Sequence, residues 1–154
     1  MYANIFVLKT MANKKMVVVL GATGNQGGSV VNALLDDFES RQKFSLRAVT
    51  RNPDSEKGRA LKQRGVECVQ GDLNSQQQLD DAFRNAYAVF GVTDFWSHGD
   101  SQIEEQQGMN IANAAKVELV GPTGLRKALT EYQKAGVQHL VWSSARNVTE
   151  SGYP

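Results

Sequence analysis

One segment near the amino terminus constrains the fold more than any other, and it reads Met16-Val17-Val18-Val19-Leu20-Gly21-Ala22-Thr23-Gly24-Asn25-Gln26-Gly27. Its first five residues form an unbroken apolar run, which is typical of a strand buried on both faces of a parallel sheet. The next seven residues have the spacing G-x-x-G-x-x-G, and residues 25–38 continue with apolar side chains at helical spacing. The segment therefore predicts a strand, a tight glycine turn and a helix in direct succession.

The rest of the chain repeats this alternation of strand and helix. Further strands are predicted at 44–50, 66–69, 87–92 and 139–143. Further helices are predicted from Pro53 to about Arg64, from 75 to 85 with Ser75 as the N-cap, and over 101–116. Strands that alternate with helices of this length predict an α/β fold with right-handed crossovers, since parallel strands need them. We expect a Rossmann-like, doubly wound parallel sheet of about five strands with flanking helices.

Composition excludes several classes of function. The 154 residues have the length of one domain, and a hydrophobic content of 41% with 21% charged residues is ordinary for a globular chain. The 17 Lys+Arg and 16 Asp+Glu leave a net charge of +1. That balance gives no electrostatic reason for direct binding to nucleic acid or to an anionic membrane. No stretch approaches the about 20 apolar residues that span a bilayer.

The cysteine and histidine content narrows the chemistry further. Cys68 is the single cysteine, which excludes an internal disulfide and a cysteine-rich metal site. His98 and His139 are the only histidines, and no residues show metal-ligand spacing, so no metal site is predicted. A lone thiol suits a reducing compartment, and we expect a cytoplasmic location with the nucleus as a second compartment.

The glycine loop predicts a site for a pyrophosphate. A helix begins with unpaired backbone N–H groups and the positive end of its dipole, which together attract an anion. Gly21 should make the tight turn, Gly24 should face the phosphates, and Gly27 should let helix and strand pack closely. The alternative is a tight turn that binds nothing, but a strand before the glycines and a helix after them favour dinucleotide binding.

The end of the second strand bears on the choice of dinucleotide. A carboxylate there would bind the ribose hydroxyl of NAD, whereas an arginine accommodates the 2′-phosphate of NADP. Here Arg51 and Asn52 follow the strand, so NADP(H) is preferred over NAD(H), unless Arg51 is only a solvated loop residue. Asp72 follows the third strand, where it either accepts from the adenine amino group or caps the turn before Ser75.

These segments, in this order, resemble the NmrA-like family, which are atypical relatives of the short-chain dehydrogenases. The resemblance is carried by residues 17–30 (VVVLGATGNQGGSV), 49–53 (VTRNP), 70–73 (QGDL), 92–96 (VTDFW) and 141–144 (VWSS). It implies an NAD(P)-binding Rossmann fold, and members include redox-sensing regulators of transcription factors as well as NAD(P)H-dependent reductases. The cofactor-binding positions that it implies are Gly21, Ala22, Thr23, Gly24, Asn25, Gln26 and Gly27 for the pyrophosphate, Arg51 and Asn52 for the 2′-phosphate, Asp72 and Leu73 for the adenine, and Thr93, Asp94 and Phe95 for the nicotinamide side.

The chain also departs from the family pattern. Gln106 stands where the family often has a lysine, which removes that expected contact. An extra segment at about 117–133 precedes the fifth strand, and residues 1–13 form an amino-terminal extension before the domain at 14–154. Because members are about twice as long, we expect the amino-terminal half of the family fold without its carboxyl-terminal lobe.

The sequence predicts no catalytic residue. A short-chain reductase uses a tyrosine as its acid, with a lysine four residues later and a serine that orients the carbonyl. Tyr153 has no room for that lysine, and Ser143 and Ser144 are better suited to hydrogen bonds with backbone or cofactor.

Three hypotheses follow. The first is an NADP(H)-binding sensor or regulator that acts through a protein partner such as a transcription factor. The second is an NADPH-dependent reductase of a quinone or small carbonyl, because quinones need little acid catalysis. The third is a truncated remnant without an independent function.

Overall fold

Five parallel strands form one sheet in this structure, a computed structural model that describes residues 14–115 and 137–143. The strand order is β3-β2-β1-β4-β5, and every neighbouring pair is parallel. This is the predicted Rossmann-like sheet. Its strands are β1 (Lys15–Leu20), β2 (Phe44–Thr50), β3 (Glu67–Gln70), β4 (Ala86–Val92) and β5 (His139–Ser143).

The helices of the described residues are α1 (Asn25–Asp36), α2 (Phe38–Lys43), α3 (Glu56–Gln63), α4 (Gln76–Ala82), α5 (Phe95–His98) and α6 (Ser101–Ala114). The prediction of one helix over 25–38 was wrong at its end. Asp37 has extended backbone, and its carboxylate accepts from the Ser40 N–H at 2.7 Å. An aspartate in this conformation caps a new helix, so the chain turns there into α2.

The buried side chains divide between the two faces of the sheet. Val17 and Val19 point to the face covered by α1 and α3, where they pack with Val31 and Leu61. Val18 and Leu20 point to the opposite face, covered by α4 and α6. Val18, Val19 and Leu20 have 0% exposure, so β1 is the central strand that its apolar run predicts.

Strand β5 has the predicted bounds, and its apolar residues are typical of a buried strand. In the structure, however, β5 is an edge of the described sheet and His139 is exposed. Its Nε2 lies 2.8 Å from the Tyr87 hydroxyl. Val141 is 58% exposed, while the ring of Trp142 lies against Gly91, where a Cβ would be only 3.0 Å from it. An apolar strand is therefore buried only when elements cover both of its faces.

Several predictions fall on residues that the structure does not describe. The extension at 1–13, the extra segment at 117–133 and Ser144 lie outside the described residues, and the proposed domain bounds stay predictions. Within residues 14–115 and 137–143, no helix has both the length and the apolar character needed to cross a membrane.

Gly27 supplies a test of how α1 meets β1. A Cβ at Gly27 would overlap the carbonyl oxygens of Leu20 and Gly21, which are backbone atoms that cannot move aside. We expect Gly27→Ala to lower the free energy of unfolding by about 1–3 kcal/mol, as overpacking does. Urea unfolding followed by circular dichroism measures the change.

Gly28→Ala is the matched control for this substitution. A Cβ at Gly28 would meet the Ala22 carbonyl oxygen at 3.4 Å, an ordinary contact. Alanine also favours helix over glycine, so this variant should be as stable as the native chain or slightly more so. Equal stability of the two variants would contradict the close approach of α1 to β1.

Candidate functional site

The strand order creates a crevice at one end of the sheet. The chain winds from β1 outward to β3 and returns to place β4 on the other side of β1. In open α/β sheets, ligands bind at this switch point, outside the carboxyl ends of the strands. Gly21 follows β1 there, and a Cβ on it would lie 3.2 Å from Val92 Cγ1 at the end of β4. The glycine loop therefore occupies the crevice between the two strands.

The glycine loop presents the start of α1 to this crevice. Gly21 has a φ of +60°, and its carbonyl accepts from the Gly24 N–H at 2.8 Å, so the chain turns sharply. Gly24 is the N-cap of α1 and supplies no capping side chain. The first amide groups of a 12-residue helix are thus left to an external acceptor, which favours an anion.

A cleft of about 350 Å³ lies beside the loop, between α1 and α3. Its lining includes Thr23, Asn25, Ser29 and Lys57. Lys57 donates from Nζ to the Thr23 carbonyl at 3.1 Å, so α3 brings a cation to the glycine loop. The sequence analysis did not identify Lys57 as a site residue. Its place in the first turn of α3, six residues after Arg51, could have indicated it.

A larger cavity of about 580 Å³ lies at the other end of the sheet. It is bordered by Asn85 before β4, by Val137 before β5, and by the carboxyl-terminal ends of α4 and α6. Parallel α/β sheets bind ligands at the carboxyl ends of their strands. The smaller cleft beside the glycine loop is therefore the better candidate for a ligand site.

Arg51 and Asn52 lie at the end of β2, as predicted. The Arg51 side chain extends toward β4, and its Nη2 lies 3.7 Å from Asp94 Oδ2. The Asn52 side-chain oxygen accepts from the Asp54 N–H at 3.0 Å, so its NH₂ group is the part suited to contact a ligand. Thr50 connects this end of β2 to the glycine loop, since its Oγ1 lies 3.5 Å from Thr23 Oγ1.

Asp72 and Leu73 lie in the loop after β3. One carboxylate oxygen of Asp72 accepts from the Asn74 N–H at 2.8 Å, and the Asp72 carbonyl accepts from the Ser75 N–H at 2.9 Å. The Leu73 carbonyl accepts from Asn110 Nδ2 at 2.9 Å. Asp72 thus organises the turn before Ser75, one of its two predicted roles, and its contact with adenine stays a prediction.

Thr93, Asp94 and Phe95 follow β4 on the far side of the crevice. Thr93 donates from Oγ1 to Glu104 at 2.6 Å. The Asp94 N–H donates to the side-chain oxygen of Gln107 at 2.9 Å, and Phe95 begins the short helix α5. The loop after β4 is therefore held by side chains of α6.

Two buried amides on α6 join the loops after β3 and β4. Gln107 is 1% exposed and Asn110 is 6% exposed. Gln107 accepts from Asp94 and donates to Asn74 Oδ1 at 3.3 Å, while Asn110 holds Leu73. Sequence reasoning missed both residues, although their spacing with Ile111 places them on the inward face. Gln106 is exposed and donates to Asn110 Oδ1 at 2.9 Å.

Ser143 brings the end of β5 to the glycine loop. Its hydroxyl donates to the side-chain oxygen of Gln26, in the first turn of α1, at 2.8 Å. The structure therefore places the implied pyrophosphate, 2′-phosphate and nicotinamide residues around one crevice, with Asp72 and Leu73 beside it. Whether these residues bind a cofactor stays a prediction.

Tyr87 is the only tyrosine among the described residues. It lies at the amino end of β4, where Lys15 Nζ is 4.1 Å from the centre of its ring. Cys68 is partly buried, and burial raises the pKa of its thiol, so the unreactive protonated form is favoured. In the described parts of the chain, no three histidine, cysteine or carboxylate side chains are grouped to hold a metal ion.

The role of Gln107 can be tested by removing its side-chain amide. In Gln107→Ala, the Asp94 N–H and Asn74 Oδ1 lose their partners, which should cost about 1–3 kcal/mol of unfolding free energy. Gln102→Ala is the control, since Gln102 is exposed at the start of the same helix. Urea unfolding of both variants measures the difference. A Gln107→Ala variant as stable as Gln102→Ala would show that the amide does not hold the loops.

Comparison with curated proteins finds oxidoreductases among the relatives of this chain. An NmrA-like family domain-containing oxidoreductase of Aspergillus campestris, cpsB, is 35% identical over 134 residues, which are 87% of this chain and 35% of that protein. The corresponding oxidoreductase of Penicillium ochrochloron, ptmS, is 43% identical over 142 residues, or 89% of this chain and 36% of that protein. This chain therefore spans about a third of the length of these relatives.

Solved structures show the same architecture. The triphenylmethane reductase of Citrobacter sp., complexed with NADP(H), matches 91% of this chain with a TM-score of 0.65 and 28% identity, and the match covers 40% of that chain. The negative transcriptional regulator NmrA has the same fold, with a TM-score of 0.64 at 23% identity over 90% of this chain and 36% of its own. The model of the NmrA-like family matches residues 13–121, and the chain belongs to that family.

Proposed function

We propose that this chain binds NADP(H), in preference to NAD(H), and acts as a cofactor sensor or regulator through a protein partner such as a transcription factor. The observation that carries the proposal is the uncapped start of α1 behind Gly24, in the crevice between β1 and β4. An anionic pyrophosphate satisfies the amide groups that the helix leaves unpaired. The compartment proposed for this role is the cytoplasm or the nucleus.

The positive charge beside the crevice supports NADP(H) as the cofactor. Arg51 at the end of β2 offers a planar fork of N–H donors, and a 2′-phosphate accepts such a fork in two hydrogen bonds. Lys57 adds a second cation at the glycine loop, 3.1 Å from the Thr23 carbonyl. The complex of the Citrobacter sp. reductase with NADP(H) supports the same choice.

The remaining residues are proposed to hold the other parts of the cofactor. Asp72 and Leu73 would flank the adenine at the end of β3. Ser143 stands at the end of β5, hydrogen-bonded to Gln26. It lies on the side of the crevice where Thr93, Asp94 and Phe95 follow β4. The nicotinamide ring would lie on that side of the glycine loop, since Arg51 draws the adenosine ribose toward β2.

A second candidate function is reduction of a quinone or small carbonyl. The curated relatives are oxidoreductases, which favours hydride transfer. The sensor is placed first because Tyr87, the one tyrosine among the described residues, lies at the amino end of β4, away from the crevice. Both functions require the same bound cofactor, so they differ only in whether a substrate is reduced.

Arg51→Ala tests whether Arg51 contacts the 2′-phosphate of NADP(H). Loss of a charge-assisted contact with the 2′-phosphate should weaken NADPH binding by about 1.5–3 kcal/mol and leave NADH binding unchanged. Isothermal titration of both dinucleotides measures the two affinities. Arg41→Ala is the control, because Arg41 is exposed on α2 near the amino end of β2. Equal losses for NADPH and NADH, or no loss in either, would rule out a 2′-phosphate contact at Arg51.

The second test separates the sensor from the reductase. NADPH oxidation is followed with a panel of quinones, using the native chain and Gly24→Val. The valine side chain should distort the glycine turn that the phosphates are proposed to approach, since even a Cβ at Gly24 would be 3.2 Å from the Gly21 carbonyl oxygen. Tight NADPH binding without turnover supports the sensor. Turnover that Gly24→Val abolishes supports the reductase, and binding by neither protein refutes both functions.

A further inference from the structure

An ion pair crosses the crevice above the glycine loop. Arg51 follows β2 and Asp94 follows β4, while β1 lies between these two strands. Neighbouring strands are about 4.8 Å apart, so the backbones of β2 and β4 stand about 10 Å apart. The Arg51 side chain nevertheless brings its Nη2 to 3.7 Å from Asp94 Oδ2. Its guanidinium therefore extends over the carboxyl end of β1.

Asp94 is the fixed member of this pair. Its N–H donates to the buried Gln107, and Ser97 donates from Oγ to Asp94 Oδ2 at 2.5 Å. Arg51 is the more exposed member, since its side chain is 70% exposed compared with 36% for Asp94. A long, exposed side chain can exchange one partner for another at little cost.

A 2′-phosphate and the Asp94 carboxylate would need the same guanidinium. A 2′-phosphate bound as proposed would lie beside the end of β2, so Arg51 would turn back from Asp94 to contact it. The ion pair would then break before the charge-assisted contact forms. NAD(H) carries a hydroxyl at that position instead of a phosphate. Binding of NAD(H) therefore does not require the ion pair to break.

We infer that Asp94 tunes cofactor specificity, lowering the affinity for NADP(H) but not for NAD(H) by holding Arg51 in the unliganded protein. This inference rests on the proposed function, since it requires that Arg51 binds the 2′-phosphate. It assigns Asp94 a role in the choice of dinucleotide, besides its implied place on the nicotinamide side.

Isothermal titration of a double-mutant cycle tests the competition. NADPH and NADH are titrated into the native chain, Asp94→Asn, Arg51→Gln and the double variant. Exposed ion pairs are weak, so Asp94→Asn should raise the ratio of NADPH to NADH affinity by about two- to fivefold. The ratio is the readout because a contact of Asp94 on the nicotinamide side would be common to both dinucleotides. In the Arg51→Gln background, Asp94→Asn should leave this ratio unchanged, because there is no guanidinium left to release.

Glu105→Gln is the matched charge control. Glu105 is an exposed carboxylate on α6, and its substitution changes the net charge by the same amount. It should leave NADPH affinity unchanged. An equal rise in Glu105→Gln, or a rise from Asp94→Asn that persists without Arg51, would overturn the inference, since simple repulsion would then explain the effect.

The outcomes distinguish this inference from the function on which it rests. Native NADPH binding that depends on Arg51 but not on Asp94 overturns the inference alone. Binding of neither dinucleotide by any of the variants overturns the proposed function and the inference together. If thermal melts show that Asp94→Asn is unfolded, Asp94→Ser removes the same charge and the same titrations apply.

Discussion

The junction of β1 and α1 is the constraint on which the rest of the structure depends. β1 is the central strand, and Val18, Val19 and Leu20 are fully buried between helices on both faces. The chain turns at Gly21 with a positive φ, and Gly27 brings the helix onto the strand. A side chain at Gly27 would move α1 away from the sheet. The same close approach directs the unpaired amides of α1 toward the crevice, so the packing and the proposed anion site have one cause.

The other side of the crevice depends on buried polar groups. Gln107 and Asn110 reach from α6 to the loops after β4 and β3. Buried amides cost free energy unless they are paired, and here the loop backbones supply the partners. The arrangement gives these loops a defined position although they contain little regular structure. The loop bonds hold Asp94 in place, and the side chain of Arg51 with which it pairs is largely exposed.

Much of the fold and part of the site could be predicted from local patterns. The five strands and the main helices follow from periodicity, and the glycine spacing identified the strand–turn–helix unit. Three features were not predicted from the periodicity. The break at Asp37 depended on a capping bond to Ser40, the contact of Lys57 with Thr23 joins elements 34 residues apart, and the exposure of β5 depended on which elements cover it. Each is a contact or a burial that periodicity does not report.

The sequence by itself determined the order of elements, the tight turn at Gly21 and the arginine at the end of β2. These are local properties, because apolar spacing and the absence of a Cβ act within a few residues. Only the tertiary structure decided that Arg51 meets Asp94 and that Ser143 meets Gln26. Those pairs form because the strand order 3-2-1-4-5 places the ends of β2, β4 and β5 around the end of β1. Strand order arises from packing across the whole sheet, and no single segment encodes it.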